Sequence, residues 1–178
     1  MSITDKIIPR YTYKDYQYWE GRWELIEGHP IAMSPLPVPF HQQIEGNLFI
    51  EFKQALKKSC AKCKVYLPLD YKISEYTLVQ PDLLVVCNKI EKPYLDFPPV
   101  LVVEILSPST MLRDKNTKYA LYQQEGVLYY LIVDTNKKNI EIFKWTDGKY
   151  EPQNYINGYQ FEFSEDCKII PQLDNIWE

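Results

Sequence analysis

Residues 79–118 read VQPDLLVVCNKIEKPYLDFPPVLVVEILSPSTMLRDKNTK. Two apolar runs lie in this stretch, and each carries a single acid: Asp82 in VQPDLLVV and Glu104 in VLVVEIL. Runs this apolar predict strands covered on both faces, with VLVVEIL the more central. A carboxylate in such a strand is costly unless something pairs with it. Downstream, SPST breaks the second strand and offers Ser109 or Thr110 as a cap for a helix predicted over 113–125, which Gly126 stops. Lys118 lies on that helix with Leu121, Tyr122 and Glu125 at i+3, i+4 and i+7, so its face points at the sheet. Two strand acids and a lysine on the covering helix suggest a site rather than a core.

Further along, VLYYLIVD (127–134) predicts another strand, which IEIFKW answers after an NKKN turn. The remainder reads as a hairpin-like extension and a tail closing with Trp177. Upstream, KVYLPLDYKI (64–73) predicts one strand, with Pro68 marking an edge or bulge, and VQPDLLVVC (79–87) the next. Ile44, Leu48, Phe52 and Leu56 recur every four residues and predict an amphipathic helix over 41–58, with Lys53, Lys57 and Lys58 on its outer, solvated part. The proline-rich SPLPVPF before it leaves no room for a helix. WELIEG and HPIAMS predict a hairpin turning at Gly28-His29, and the aromatic-rich segment before Gly21 a short helix or turn. Helix, three strands, helix and strand in that order fit an α/β or α+β fold: a mixed sheet flanked by helices.

The chain has 178 residues, 46% of them hydrophobic, which predicts a single domain over 1–178 with its core at about 41–145. A formal net charge of -4 argues against broad nucleic-acid affinity but leaves room for a local basic groove. No apolar run reaches the length of a membrane span, and MSITDKIIPR lacks a signal-peptide core, so the expected compartment is the cytoplasm. Cys60 and Cys63 form a lone C-x-x-C, while Cys87 and Cys167 are scattered. Without a second pair at matching spacing, the reading is four reduced thiols filling small spaces.

If the two acidic strands are neighbours, Asp82 and Glu104 converge on one face. Carboxylate oxygens are the ligands Mg²⁺ and Mn²⁺ prefer, and the Ile105 carbonyl adds another from the same strand. An ion there would lower the pKa of a bound water and neutralise charge on a scissile phosphate. The Lys118 ammonium would orient the attacking water or stabilise the phosphorane-like transition state. Each residue also has a duller account. Asp82 could cap a strand, Glu104 could pair with a structural cation, and Lys118 could snorkel at the surface. Glu104 resists the dull account best, because its neighbours on both sides are apolar.

The ordered set Pro81-Asp82, V-E-I-L-S-P-S-T at 103–110, D-x-x-x-K-x-x-x-Y at 114–122 and G-V-x-Y-Y-x-I-V-D at 126–134 resembles the Uma-two-type restriction endonuclease family of the PD-(D/E)XK nuclease superfamily. W-E-L-I-E-G with the later H-x-x-I-x-x-x-L matches too, through Glu24, Gly28, His41, Ile44 and Leu48, so the likeness covers about 11–145. It implies a restriction-endonuclease-like mixed central sheet, here with an N-terminal β-hairpin and a C-terminal β extension. It implies a metal-dependent DNA endonuclease, with Mg²⁺ or Mn²⁺ held by Asp82, Glu104 and Ile105, and a metal-activated water that leaves a 5′-phosphate. In the superfamily the lysine stands two residues after the acid, where this chain has Leu106. The resemblance therefore implies that Lys118 has taken the role, with Lys115 its rival. His41 or Glu45 on the first helix is a candidate further ligand, His41 equally a capping or packing residue, and Glu24 a candidate acid behind them. A homodimer would suit cutting both strands of a duplex. The rival reading is a catalytically degenerate nuclease-fold module that binds nucleic acid or protein, and a third is an enzyme on RNA or another phosphodiester. No base-reading motif stands out.

Overall fold

Strands β6 (Leu83–Val86), β7 (Leu101–Ile105) and β8 (Tyr129–Asp134) are buried along their whole length, which is why their sequences do not alternate. The structure is a computed structural model that describes residues 8–33, 37–156 and 158–178. The amino-terminal residues 1–7 and residues 34–36 of the proline-rich connector lie outside the described residues. Two compact units emerge, one drawn from 1–36, 70–80 and 90–97, the other from 37–69, 81–89 and 98–178.

The larger unit is built on a six-stranded sheet of order β10-β9-β8-β7-β6-β3. Its remaining strands are β3 (Lys64–Tyr66), β9 (Asn139–Thr146) and β10 (Lys149–Gln153). β7 and β8 run parallel, and the other neighbours are antiparallel, so the sheet is mixed as expected. A parallel pair needs a crossover. It is supplied by a π-helical segment, Arg113–Lys118, running into the α-helix Tyr119–Gln124. The predicted helix over 113–125 is therefore present, but its first turns are wound more widely than an α-helix. Thr110 Oγ1 accepts the Ser107 N–H at 3.2 Å ahead of it, so the threonine fastens the SPST turn.

One face of the sheet carries Leu83, Val85, Leu101, Val103, Ile105, Tyr129, Leu131 and Val133 in a single buried cluster with Ile44, Leu48, Phe52 and Leu56. Those four sit on the long helix Pro39–Ser59, and burying each contributes about 1.5–3 kcal/mol. The helix starts inside SPLPVPF, against the sequence reading, because Pro39 at the first helical position needs no N–H partner. A hairpin of β11 (Phe161–Ser164) and β12 (Cys167–Ile169) and a 3₁₀ turn (Leu173–Trp177) complete this layer. Phe161 meets Phe52 at 5.6 Å between ring centroids, and Asn47 Nδ2 donates to the Ile176 carbonyl at 3.1 Å. On the opposite face Tyr130 packs against Tyr122 at 5.1 Å and Tyr119 against Phe143 at 5.1 Å.

The smaller unit is a four-stranded antiparallel sheet, β2-β1-β5-β4, made of β1 (Trp23–Ile26), β2 (His29–Ala32), β4 (Tyr71–Ser74) and β5 (Thr77–Val79). The first hairpin turns at Glu27 and Gly28, with φ 51° and 84°, one residue earlier than expected. Tyr11, Tyr13, Tyr16, Trp19, Trp23 and Tyr94 form an aromatic cluster around the short helix Tyr13–Tyr16, edge-to-face except for the stacked Tyr13 and Tyr16. Two predicted single strands are each divided. Residues 64–73 become β3 and β4 in different sheets, with Pro68 between them, and the strand expected at 79–87 gives Val79 to β5 and Leu83–Val86 to β6, with Pro81 between them. A proline inside a ladder removes a donor, and here it ends the pairing instead of bulging it.

Candidate active site

β6 and β7 pair antiparallel with Leu83 opposite Val103, so one further step sets Asp82 opposite Glu104. Cross-strand partners share a face. Asp82 stands just before β6, where Pro81 has already interrupted the ladder. Its carboxylate closes over the end of the neighbouring strand, and Oδ2 accepts the Ile105 N–H at 2.7 Å.

His41 is the third residue of the long helix, and it comes to the same strand end. Its Nε2 is 3.2 Å from the Ile105 carbonyl oxygen and 3.7 Å from Asp82 Oδ2. A carbonyl can only accept, so the first contact is a hydrogen bond when Nε2 carries the proton. Nδ1 is buried without a hydrogen-bond partner among the described residues.

Glu104 lies behind this rim. Its Oε1 accepts from Lys118 Nζ at 2.8 Å and from the Tyr122 hydroxyl at 2.8 Å. Lys118 side-chain exposure is only 2%, against 19% for Asp82, so Asp82 is the accessible member. The π-helical winding turns both Asp114 and Lys118 inward, and Asp114 Oδ1 lies 3.8 Å from Lys118 Nζ. Burial holds the Asp114 carboxyl above its ordinary range, with Lys118 pulling the other way. The Tyr130 hydroxyl donates to the Asp114 carbonyl at 2.8 Å, and its phenol is raised well above the usual value by burial and then by Glu104.

The structure thus brings together Asp82, Glu104, the Ile105 backbone, Lys118 and His41. Lys115 is turned elsewhere, its Nζ 3.1 Å from Glu141 Oε1. Glu45 is half-buried one turn after His41. Glu24 belongs to the smaller unit, where it is fully buried and accepts the Gln80 N–H at 2.9 Å. Asp114, Tyr122 and Tyr130 were not singled out in the sequence. The D-x-x-x-K-x-x-x-Y spacing was their signal, since it puts Asp114, Lys118 and Tyr122 one turn apart on one face. Register sets Asp82 and Glu104 opposite each other at this strand end, and carboxylate oxygens are donors that a hard divalent cation such as Mg²⁺ or Mn²⁺ takes.

The architecture is that of a restriction-endonuclease-like fold: a mixed sheet with helices on both faces and acids at the ends of its central strands. The crystal structure of "a putative nuclease belonging to DUF820" from Anabaena variabilis ATCC 29413 superposes with a TM-score of 0.73 over 93% of this chain and 97% of that one, at 14% identity. "Uncharacterized protein slr1290" of Synechocystis sp. is 37% identical over 79 residues, which is 42% of this chain and 42% of that protein. A family model described as "Uma2: Putative restriction endonuclease" matches residues 12–173, and the chain belongs to that family. Among the described residues no helix is long and apolar enough to cross a membrane.

Proposed function

We propose that the protein is a divalent-metal-dependent DNA endonuclease. Asp82, Glu104 and the Ile105 carbonyl would hold Mg²⁺ or Mn²⁺, with Glu45 or His41 as an accessory. When bound, such an ion supplies charge neutralisation at the scissile phosphate and a lowered pKa for water. Asp82 keeps its carboxylate aimed by accepting the Ile105 N–H. Lys118, fixed on Glu104, would bring positive charge to the attacking water or to a non-bridging phosphate oxygen. Tyr122 holds Glu104 in the rotamer this requires. Family membership supports a nucleic-acid substrate. The observation that carries the reading is the meeting of the Asp82 carboxylate with the backbone of Ile105, next to a Glu104 already paired to a lysine from the crossover helix.

That same ion pair favours a second reading, in which Lys118 neutralises a metal ligand and the fold binds without cutting. Plasmid nicking with Mg²⁺ or Mn²⁺, against an EDTA control and an RNA arm, separates them. Nicking that yields 5′-phosphate ends and disappears in Asp82→Asn supports the endonuclease. Calorimetric Mg²⁺ and Mn²⁺ titrations without heat, together with intact plasmid, would leave the degenerate module.

A further inference from the structure

All four cysteines come together at one place in the larger unit. Cys60 caps the C-terminus of the long helix, and Cys63 follows one tight turn later, its N–H donating to the Cys60 carbonyl at 3.1 Å. The β3–β6 pairing sets Lys64 opposite Val86, and one step further it sets Cys63 opposite Cys87. Cys167 opens β12 on the C-terminal hairpin. In the structure the sulfurs are joined as Cys60–Cys167 and Cys63–Cys87, which overturns the reading of four separate thiols. The two pairs also touch each other. Cys60 Sγ lies 3.4 Å from Cys63 Sγ, and Cys63 Sγ lies 3.5 Å from Cys167 Sγ.

Two buried disulfides can touch through packing alone, but a tetrathiolate metal site requires such contact. Four sulfurs held about 2.3 Å from a zinc ion stand about 3.8 Å apart along the tetrahedron's edges, close to the separations between the pairs. The sulfurs of Cys60, Cys63 and Cys167 all lie within 4.8 Å of one another, and these residues are 0–5% exposed. Three soft donors at one buried point, with the half-buried Cys87 bonded to one of them as the fourth, match structural zinc and not a catalytic ion. The resulting dianion would sit beside a groove lined by Lys53, Lys57 and Lys64, whose ammonium groups offset it.

We propose that these four cysteines, as thiolates, bind one structural zinc ion that fastens the C-terminal hairpin to the long helix and to β6. Zinc binds the reduced form: a thiol or phosphine reductant first supplies four electrons and four protons to the two disulfides, and binding then releases the thiol protons. The ion is independent of the one proposed at Asp82 and Glu104. His41 and Cys60 stand 19 residues apart on the long helix, about 28 Å by its rise per residue.

The test is elemental analysis and cobalt substitution of the full chain, purified anaerobically with a phosphine reductant. The expected result is about one zinc per chain, exchanged by Co²⁺ for a tetrahedral ligand-field band with sulfur-to-metal charge transfer. Cys87→Ser should cut the zinc content by at least about half and lower the melting temperature. Glu104→Gln should leave both the zinc and the cobalt spectrum unchanged. Because Cys87→Ser can fail to fold, the wild-type cobalt spectrum decides alone. Four reactive thiols with neither zinc nor a cobalt band would overturn the proposal. So would protein taken from cells under thiol-trapping conditions that lacks four hydrogens and carries no metal.

Discussion

β6 is bounded by Asp82 before it and Cys87 after it, and the long helix by His41 near its start and Cys60 at its end. The same two elements therefore carry a hard, oxygen-rich cluster at one end and a soft, sulfur-only cluster at the other. Each cluster solves the problem of polarity inside a core differently. At the acid end the hydrogen bonds that hold the two strand acids cross between elements: Asp82 to the Ile105 N–H, Glu104 to Lys118 and Tyr122. At the sulfur end the cysteines find one another. Their exposure differs accordingly, 19% for the Asp82 side chain against 0–5% for Cys60, Cys63 and Cys167. A site that must exchange water and substrate has to stay open on one side, whereas a staple is most stable closed.

The comparison breaks if the two ends depend on each other, and Asp82→Asn is the sharpest probe. The amide oxygen can still accept from Ile105 N–H, so the fold keeps its hydrogen bond while the charge is lost. Nicking is expected to fall by at least about 10²-fold, with zinc content and melting temperature close to wild type. Cys87→Ser should do the reverse, lowering the melting temperature while nicking per folded molecule stays near wild type.

Next in size is the buried pair. Lys118→Met removes the ammonium from Glu104, whose side chain is 4% exposed, and uncovering a buried carboxylate in this way costs about 3–5 kcal/mol. The urea midpoint should drop accordingly. The double variant Lys118→Met/Glu104→Gln should recover part of the loss, because the Glu104 charge left without Lys118 is removed as well. A double variant no better than the single one would mean that Lys118 stabilises by packing alone.

These outcomes bear on how the chain could be read. The acid end was legible because a carboxylate in an apolar run stands out, and Glu104 could be singled out without coordinates. The sulfur end was not, because cysteine counts as an ordinary apolar residue in a periodicity pattern, and Cys87 and Cys167 reach Cys60 only through the β3–β6 register and the C-terminal hairpin. The mixed sheet and its flanking helices followed from strand and helix periodicity. The division of 64–73 and 79–87 between two sheets did not, since Pro68 reads as an edge or a bulge and not as a change of sheet. The π-helical winding at Arg113–Lys118 left no local mark either: a sequence that satisfies i+4 spacing hides one extra residue per turn.

A smaller effect tests whether Asp114 belongs to the acid end. Burial raises its carboxyl above the ordinary value of 3.8, so the folded chain holds that proton at a pH where the unfolded chain has released it. This contribution is fully present below the unfolded value and is lost as pH rises through the raised folded one. Asp114→Asn should remove that slope, so that its advantage over wild type grows as pH climbs from about 4 toward neutrality. Urea midpoints across that range measure it. A constant difference between the two proteins would show that Asp114 titrates normally.

The smallest expected effect discriminates most finely. Lys115 and Lys118 are one turn apart, and the sequence left them as rivals for one role. In the structure Lys115 reaches Glu141 at 3.1 Å, with side chains 33% and 37% exposed, and an ion pair that open to solvent is worth at most about 1 kcal/mol. Lys115→Ala should therefore leave nicking unchanged and shift the urea midpoint barely beyond error. If nicking were lost while stability held, the lysine role would lie on the outer face of the crossover helix. Lys118 would then be a structural counter-ion, and the acid end would resemble the sulfur end more closely than its openness suggests.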